Sequence, residues 1–96
     1  MVLEVAVLYV KPGMETDFET AFKIAQKIIC TMPGYLSHDL QRCLEMNNRY
    51  LLLVNWEKLE DHTIGFRQSP QYENWRKLLH HYYYPFPEVW HFESVF

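Results

Sequence analysis

Few side chains in this 96-residue chain have both the chemistry and the spacing to form a reactive site, and most of them fall between Trp56 and Tyr84. His62 comes one helical turn before Phe66. A histidine there can act as a general base or as a hydrogen-bond donor, because imidazole titrates near neutrality. It can equally be a packed histidine bonded to backbone. His80 follows Arg76 by one turn and can edge the same space; a surface or interface position is its plainer reading. His81 points roughly 100° away around the helix. Trp56, Phe66, Tyr72 and Trp75 can wall an aromatic cavity or simply fill a core. Arg42 and Arg67 can hold an acidic group or pair on the surface with Glu45 and Glu60.

Other chemistries lack their residues. His38 and His91 are expected on opposite edge strands, about 14 Å apart at three strand spacings, so one monomer does not bring them to one ion. No His-x-x-x-His, paired-cysteine, glycine-rich phosphate or serine-nucleophile motif occurs. Cys30 and Cys43 have no pairing or metal spacing and read as reduced, buried thiols. A net charge of −3 without a basic stripe argues against duplex nucleic acid. No run is long or apolar enough for a membrane span or a secretory leader, so the expected location is the cytoplasm.

The elements that must carry these groups follow from periodicity. Val2–Val10 alternates as a strand, with Leu3, Val5, Val7 and Tyr9 on one face and Val2, Glu4, Ala6, Leu8 and Val10 on the other. Lys11-Pro12-Gly13 is a turn. Met14, Phe18, Phe22, Ala25, Ile28 and Met32 keep helical spacing until Pro33-Gly34. Tyr35–Glu45 predicts a second strand, with Leu36, His38, Leu40, Arg42 and Leu44 sharing a face. Met46–Arg49 predicts a hairpin turn using asparagine's tolerance of positive backbone angles. Tyr50–Trp56 is a third strand. Leu59, His62, Thr63 and Phe66 suggest a short helix. Ser69-Pro70 starts another that runs to Tyr84-Pro85, because serine caps free amides and proline suits the first turn. Glu88–Val95 closes the chain as a strand.

The order β-α-β-β-α-α-β is the split pattern of a ferredoxin-like α+β fold: one domain over residues 1–96, a four-stranded antiparallel sheet, helices on one face. The third strand is apolar on both faces and the first nearly so, and one helical layer covers only one. The uncovered face predicts a homodimer.

With these elements in place, the chain resembles the antibiotic-biosynthesis monooxygenase family of dimeric α+β barrels. The resemblance rests on Val10-Lys11-Pro12-Gly13-Met14-Glu15 before Phe18, on Pro33-Gly34-Tyr35, on Trp56-Glu57 with Glu60-Asp61-His62, and on Ser69-Pro70-Gln71-Tyr72, and it covers nearly the whole chain. It implies a cofactor-independent monooxygenase acting with O2 on a phenolic or hydroquinone-type aromatic small molecule. His62 and His80 would be the catalytic candidates, and Trp56, Phe66, Tyr72, Trp75 and Arg76 the substrate-binding ones. The alternative is a dimeric small-molecule-binding protein of the same fold without turnover. The haem-degrading branch is a further one, yet its asparagine, tryptophan and histidine positions fall here on Ala6, Phe66 and Arg76, leaving His80 as a shifted ligand at most. The expectation is therefore a protein without flavin, haem or metal.

Overall fold

A computed structural model describes residues 1–96. Strands β1 (Val2–Tyr9), β2 (Tyr35–Arg42), β3 (Arg49–Trp56) and β4 (Val89–Phe92) form one antiparallel sheet in the order β2-β3-β1-β4. Helices α1 (Glu15–Ile29) and α2 (Pro70–Leu79) cover one face. Between β3 and α2 the chain makes a π-helical turn, Asp61–Phe66, and a 3₁₀ turn at His80–Tyr82 follows α2. The ferredoxin-like α+β fold is thus present, and His38 and His91 do lie on opposite edge strands.

The core forms where apolar periods of two and of 3.6 meet. Ala6, Leu8 and Val10 from the first strand region and Tyr50, Leu52, Val54 and Trp56 from β3 face the helices and are buried. Phe18, Phe22, Ala25 and Ile29 form the opposing stripe of α1, while Trp75 and Leu79 come from α2. Ser69 caps α2 as its sequence implies: Tyr72 N–H donates to Ser69 Oγ at 3.1 Å, and Pro70 occupies the first turn.

One glycine fixes how the helical layer meets the sheet. Gly34 turns the chain into β2 at φ +83°, and a Cβ there would overlap the Asp61 side chain. Its carbonyl accepts from Glu57 N–H at 2.8 Å, and the Asp61 carboxylate accepts from Lys58 N–H at 3.0 Å. The loop after α1 is therefore clamped to the start of the π-helical turn that carries His62.

Several expectations are corrected. β2 ends at Arg42, and Leu44 is exposed beyond it; a bulge between Tyr35 and Ser37 also turns Leu36 out of the shared face. The Met46–Arg49 turn closes with Arg49 N–H donating to Met46 O, and no non-glycine residue has a positive φ. Cys30 is exposed and Cys43 half-buried, because both follow the ends of their elements; both thiols are free. Leu59 is exposed, since the widened turn rotates it off the face that buries His62 and Phe66. β4 spans only Val89–Phe92.

Candidate active site

The site begins with an acid on the wrong face of a strand. β1 alternation turns Glu4 toward the helices together with Ala6 and Leu8, and Glu4 is only 5% exposed. A carboxyl group in that position loses its hydration, so its charged form is disfavoured unless a cation compensates. One neutral donor reaches it: Trp56 Nε1–H donates to Glu4 Oε1 at 2.9 Å. Burial pushes the Glu4 carboxyl up to about 7, against the smaller downward pull of the Trp56 hydrogen bond and the Arg67 charge.

His62 is brought to Glu4 by the π-helical turn. Its ring stacks on Trp56, with centroids 5.5 Å apart and planes 19° from parallel. Nε2 stands 3.4 Å from Glu4 Oε1, and Nδ1 is hydrogen-bonded to His91 Nε2 at 2.8 Å. Burial first, then the charges of Arg67 and His91, lower the imidazole to about 3. His62 is therefore neutral near pH 7, and its contact with Glu4 is not an ion pair. His91 arrives from β4, where it sits directly across from Glu4. Its imidazole is also lowered, by burial and then by Arg67.

Next to this cluster lies a cavity of about 60 Å³ between sheet and helices. Glu4, His62, Arg67, Tyr72 and His80 supply its polar lining. Tyr72 is raised above the usual phenol range by burial, so its hydroxyl remains a proton donor. His80 is lowered by burial and then by Arg76, and its ring packs edge-on against Tyr72. Arg67 owes its place to the wide turn: its backbone N–H donates to His62 O five residues back, at 3.1 Å.

The aromatic groups named from sequence divide. Phe66, Tyr72 and Trp75 line the cavity, but Phe66 and Trp75 pack edge to face at 5.6 Å and fill much of the space between the layers. Trp56 stands behind His62 and does not line the cavity. The volume is far below the roughly 300–1,000 Å³ of drug-sized ligand sites, so this cavity is no ready-made polycycle pocket. Arg76 also lies outside: it pairs with Glu73 at 2.9 Å on the exposed side of α2. Arg42 pairs with Glu19 rather than Glu45.

Strand alternation groups Glu4 with Val2, Ala6, Leu8 and Val10, a face the sequence alone leaves unassigned, and Glu4 is not among the functional candidates. The signal was present: a lone acid within the alternation Val2, Ala6, Leu8, Val10. His91 needed the strand register, and Arg67 needed the π geometry. The chain holds no group of three or more His, Cys, Asp or Glu side chains placed to ligate a metal.

Comparison with known proteins adds to this geometry. Residues 1–78 match the family model described as antibiotic biosynthesis monooxygenase. The uncharacterized protein YczJ of Bacillus subtilis (strain 168) is 54% identical over 95 residues, covering 99% of this chain and all of YczJ. A crystal structure of an antibiotic biosynthesis monooxygenase-type protein from Bordetella bronchiseptica superposes with TM-score 0.93 at 35% identity, covering 99% of this chain and 97% of that one. SnoaB from Streptomyces nogalater, described as a cofactor-independent oxygenase, shares the fold with TM-score 0.81 at 22% identity, over 97% of this chain and 91% of its own.

Proposed function

The chain belongs to the antibiotic biosynthesis monooxygenase family, and we propose that it is a cofactor-independent monooxygenase that oxidises a phenolic or hydroquinone-type ring with O2. The observation that carries this reading is Glu4, a buried carboxyl poised near neutrality beside a cavity and flanked by neutral histidines. Such an acid can take a proton at physiological pH and give it back. SnoaB, named as a cofactor-independent oxygenase, has the same fold and supports the reaction class.

The residues suggest a division of labour. Both polar contacts of Glu4 fall on Oε1, leaving Oε2 free to meet a phenolic hydroxyl in the cavity. Transfer of that proton to Glu4 makes an electron-rich phenolate, which the Arg67 cation favours at short range. One electron passes to O2, and the radical pair closes to a carbon–oxygen bond. The resulting peroxide takes a proton from Tyr72 or His80, which recover it from solvent, while the proton on Glu4 stays there until it is released. Loss of the ring proton and cleavage of the O–O bond then release water and leave the quinone, so phenol and O2 become quinone and H2O. His62 fits a positioning role, because both its nitrogens already face protein groups.

The cavity admits the hydroxyl end of a ring as it stands. The body of the ring needs the wall around His80, Tyr83 and Pro87 to yield, and the adjoining Tyr84 and Phe86 are exposed.

A homodimer belongs to the same reading. On the face away from the helices, Leu3, Val5, Val7, Leu51 and Leu53 are only half-covered, and Trp90 and Phe92 of β4 are exposed. Register places Trp90 beside Val5 and Phe92 beside Leu3, which makes one continuous apolar surface. Light scattering should give twice 11.7 kDa, and Val7→Asp should halve it, whereas Val54→Asp should unfold the chain because Val54 is fully buried. A wild-type chain that remains a compact monomer at micromolar concentration overturns this part.

Turnover is tested by O2 uptake with a panel of hydroquinones, under air and under argon. Quinone formation matched to O2 consumption, and lost in Glu4→Gln, is the expected result. Tight binding of the ring without O2 uptake would make the protein a binding module instead.

A further inference from the structure

Glu4 is sealed from bulk water, so a proton it accepts has to leave by some path. The geometry points to one: we propose that Glu4, His62 and His91 form a proton relay from the cavity to the solvent-facing edge of the sheet. The inference rests on the reading of Glu4 as the proton acceptor.

The three groups stand in line. Glu4 and His91 are cross-strand partners on β1 and β4, and His62 descends from the helical layer between them. The links are 3.4 Å from Glu4 Oε1 to His62 Nε2 and 2.8 Å from His62 Nδ1 to His91 Nε2. The inner two groups are 5% and 4% exposed, whereas His91 is half-buried. No hydrogen bond within the chain uses His91 Nδ1, which leaves that nitrogen for water. The longer link is of the kind that tightens when a reacting system is assembled.

A neutral imidazole has one N–H and one lone pair, so a chain of them has a direction. A proton taken up on the cavity-side oxygen reaches His62 after a half-turn of the carboxyl exchanges its two oxygens; the O–H then donates to His62 Nε2, His62 Nδ1–H donates to His91 Nε2, and His91 Nδ1–H faces outward. One concerted shift moves each proton along its hydrogen bond. The Glu4 proton goes to His62 Nε2, the His62 proton to His91 Nε2, and the His91 proton to water. One proton leaves, Glu4 becomes a carboxylate, and both rings exchange tautomer while staying neutral. Neutrality matters here because burial, and then the charge of Arg67 at the end of the π-helical turn, disfavours a cation on either ring. The remaining groups facing the cluster are Trp56 of β3, Tyr72 of α2 and His80; Trp56 Nε1–H donates to Glu4 Oε1.

The test uses the substrate-free protein and does not depend on turnover. Nitrogen-15 resonances of the His62 and His91 rings are followed from pH 6.5 to 9. Both rings should pass from the Nδ1–H to the Nε2–H tautomer together, with a midpoint near 7, where Glu4 titrates. Glu4→Gln should abolish the exchange in both rings. In His91→Phe, at a half-exposed position, the His62 tautomer should still follow Glu4 but exchange more slowly, read as broadening or splitting of its nitrogen-15 resonances, and unchanged exchange there would overturn the relay. Tautomers that ignore pH, or that exchange independently in Glu4→Gln, overturn the relay. For an accepted hydroquinone, His91→Ala should slow turnover by less than the roughly 10²–10⁴-fold expected of a direct base, and added imidazole should restore it. Unchanged turnover in His91→Ala would likewise overturn the relay, whereas absence of any turnover in wild type would strike only the monooxygenase reading.

Discussion

The two ends of the sheet carry similar side chains in opposite states. At the β2 edge, Glu19 of α1 meets Arg42 and Tyr50, and His38 lies between Tyr35 and Gln26, with Nε2 2.9 Å from Gln26 Oε1. At the β4 edge, Glu4 meets Trp56 and His62, and His62 meets His91. The Tyr50 hydroxyl and the Arg42 guanidinium hold Glu19 below the usual carboxylate range, while burial without a paired cation pushes Glu4 up to about 7. The groove beside Glu19 is also far larger, about 410 Å³ against about 60 Å³. Between these two sites, size alone would favour the groove. Glu19 is exposed and already paired with Arg42, so it stays ionised and has no proton to trade near neutrality.

The sharpest way to break this contrast is to remove the acid from each end. Glu4→Gln should lower turnover of an accepted hydroquinone by roughly 10²–10⁴-fold, as loss of a general base does. Initial rates of O2 uptake check it. Glu19→Gln should leave the same rate unchanged. Equal losses at the two ends would mean that burial of the acid has no bearing on catalysis.

Stability against pH should separate the two members of the buried pair. Glu4 is raised from 4.5 to about 7, so the folded state binds the extra proton and stability falls as pH rises between those values. His62 is lowered from 6.5 to about 3, so the unfolded state binds the extra proton and stability rises with pH between about 3 and 6.5. Each slope is about 1.4 kcal/mol per pH unit, and from 4.5 to 6.5 they oppose one another. The pair itself should contribute almost no slope across that window, while the lowered His38, His80 and His91 add a rise toward its upper end. Glu4→Gln should unmask a rising limb, and His62→Gln a falling one. Urea midpoints at half-unit pH steps would show it; a wild-type slope as steep as either variant's would break the pairing.

The contrast also explains which parts of the molecule were legible in the sequence. Strand alternation, the Phe18–Phe22–Ala25–Ile29 stripe and the Ser69-Pro70 cap are local patterns, and each is read within a few residues. His62 beside Phe66 was legible for the same reason, since both face inward. Arg67 was not read into the cavity, because a 3.6-residue period cannot anticipate a turn closed from Arg67 N–H to His62 O. His91 was invisible as a partner of Glu4, because their meeting depends on the β1–β4 register across 87 residues of chain. Arg76 looked right on α2 by spacing alone, yet its neighbour Glu73 holds it on the exposed side.

The smallest expected effect lies at the exposed end and tests the contrast from its other side. Arg42→Ala removes the cation from Glu19 but leaves the Tyr50 hydroxyl, which donates to the same Oε2 at 2.6 Å. Both ionic partners are open to water, so the lost Coulomb attraction is screened, and two long side chains regain rotamer freedom. Stability should change very little, and less still in high salt. Glu19 should remain ionised at pH 7, because water solvates it where it solvates nothing around Glu4. A carbon-13 titration of the Glu19 carboxyl in Arg42→Ala reads this directly. A carboxyl that moved up toward the Glu4 value would show that the arginine, rather than exposure, keeps Glu19 charged, and the difference between the two ends would then rest on one cation instead of on burial.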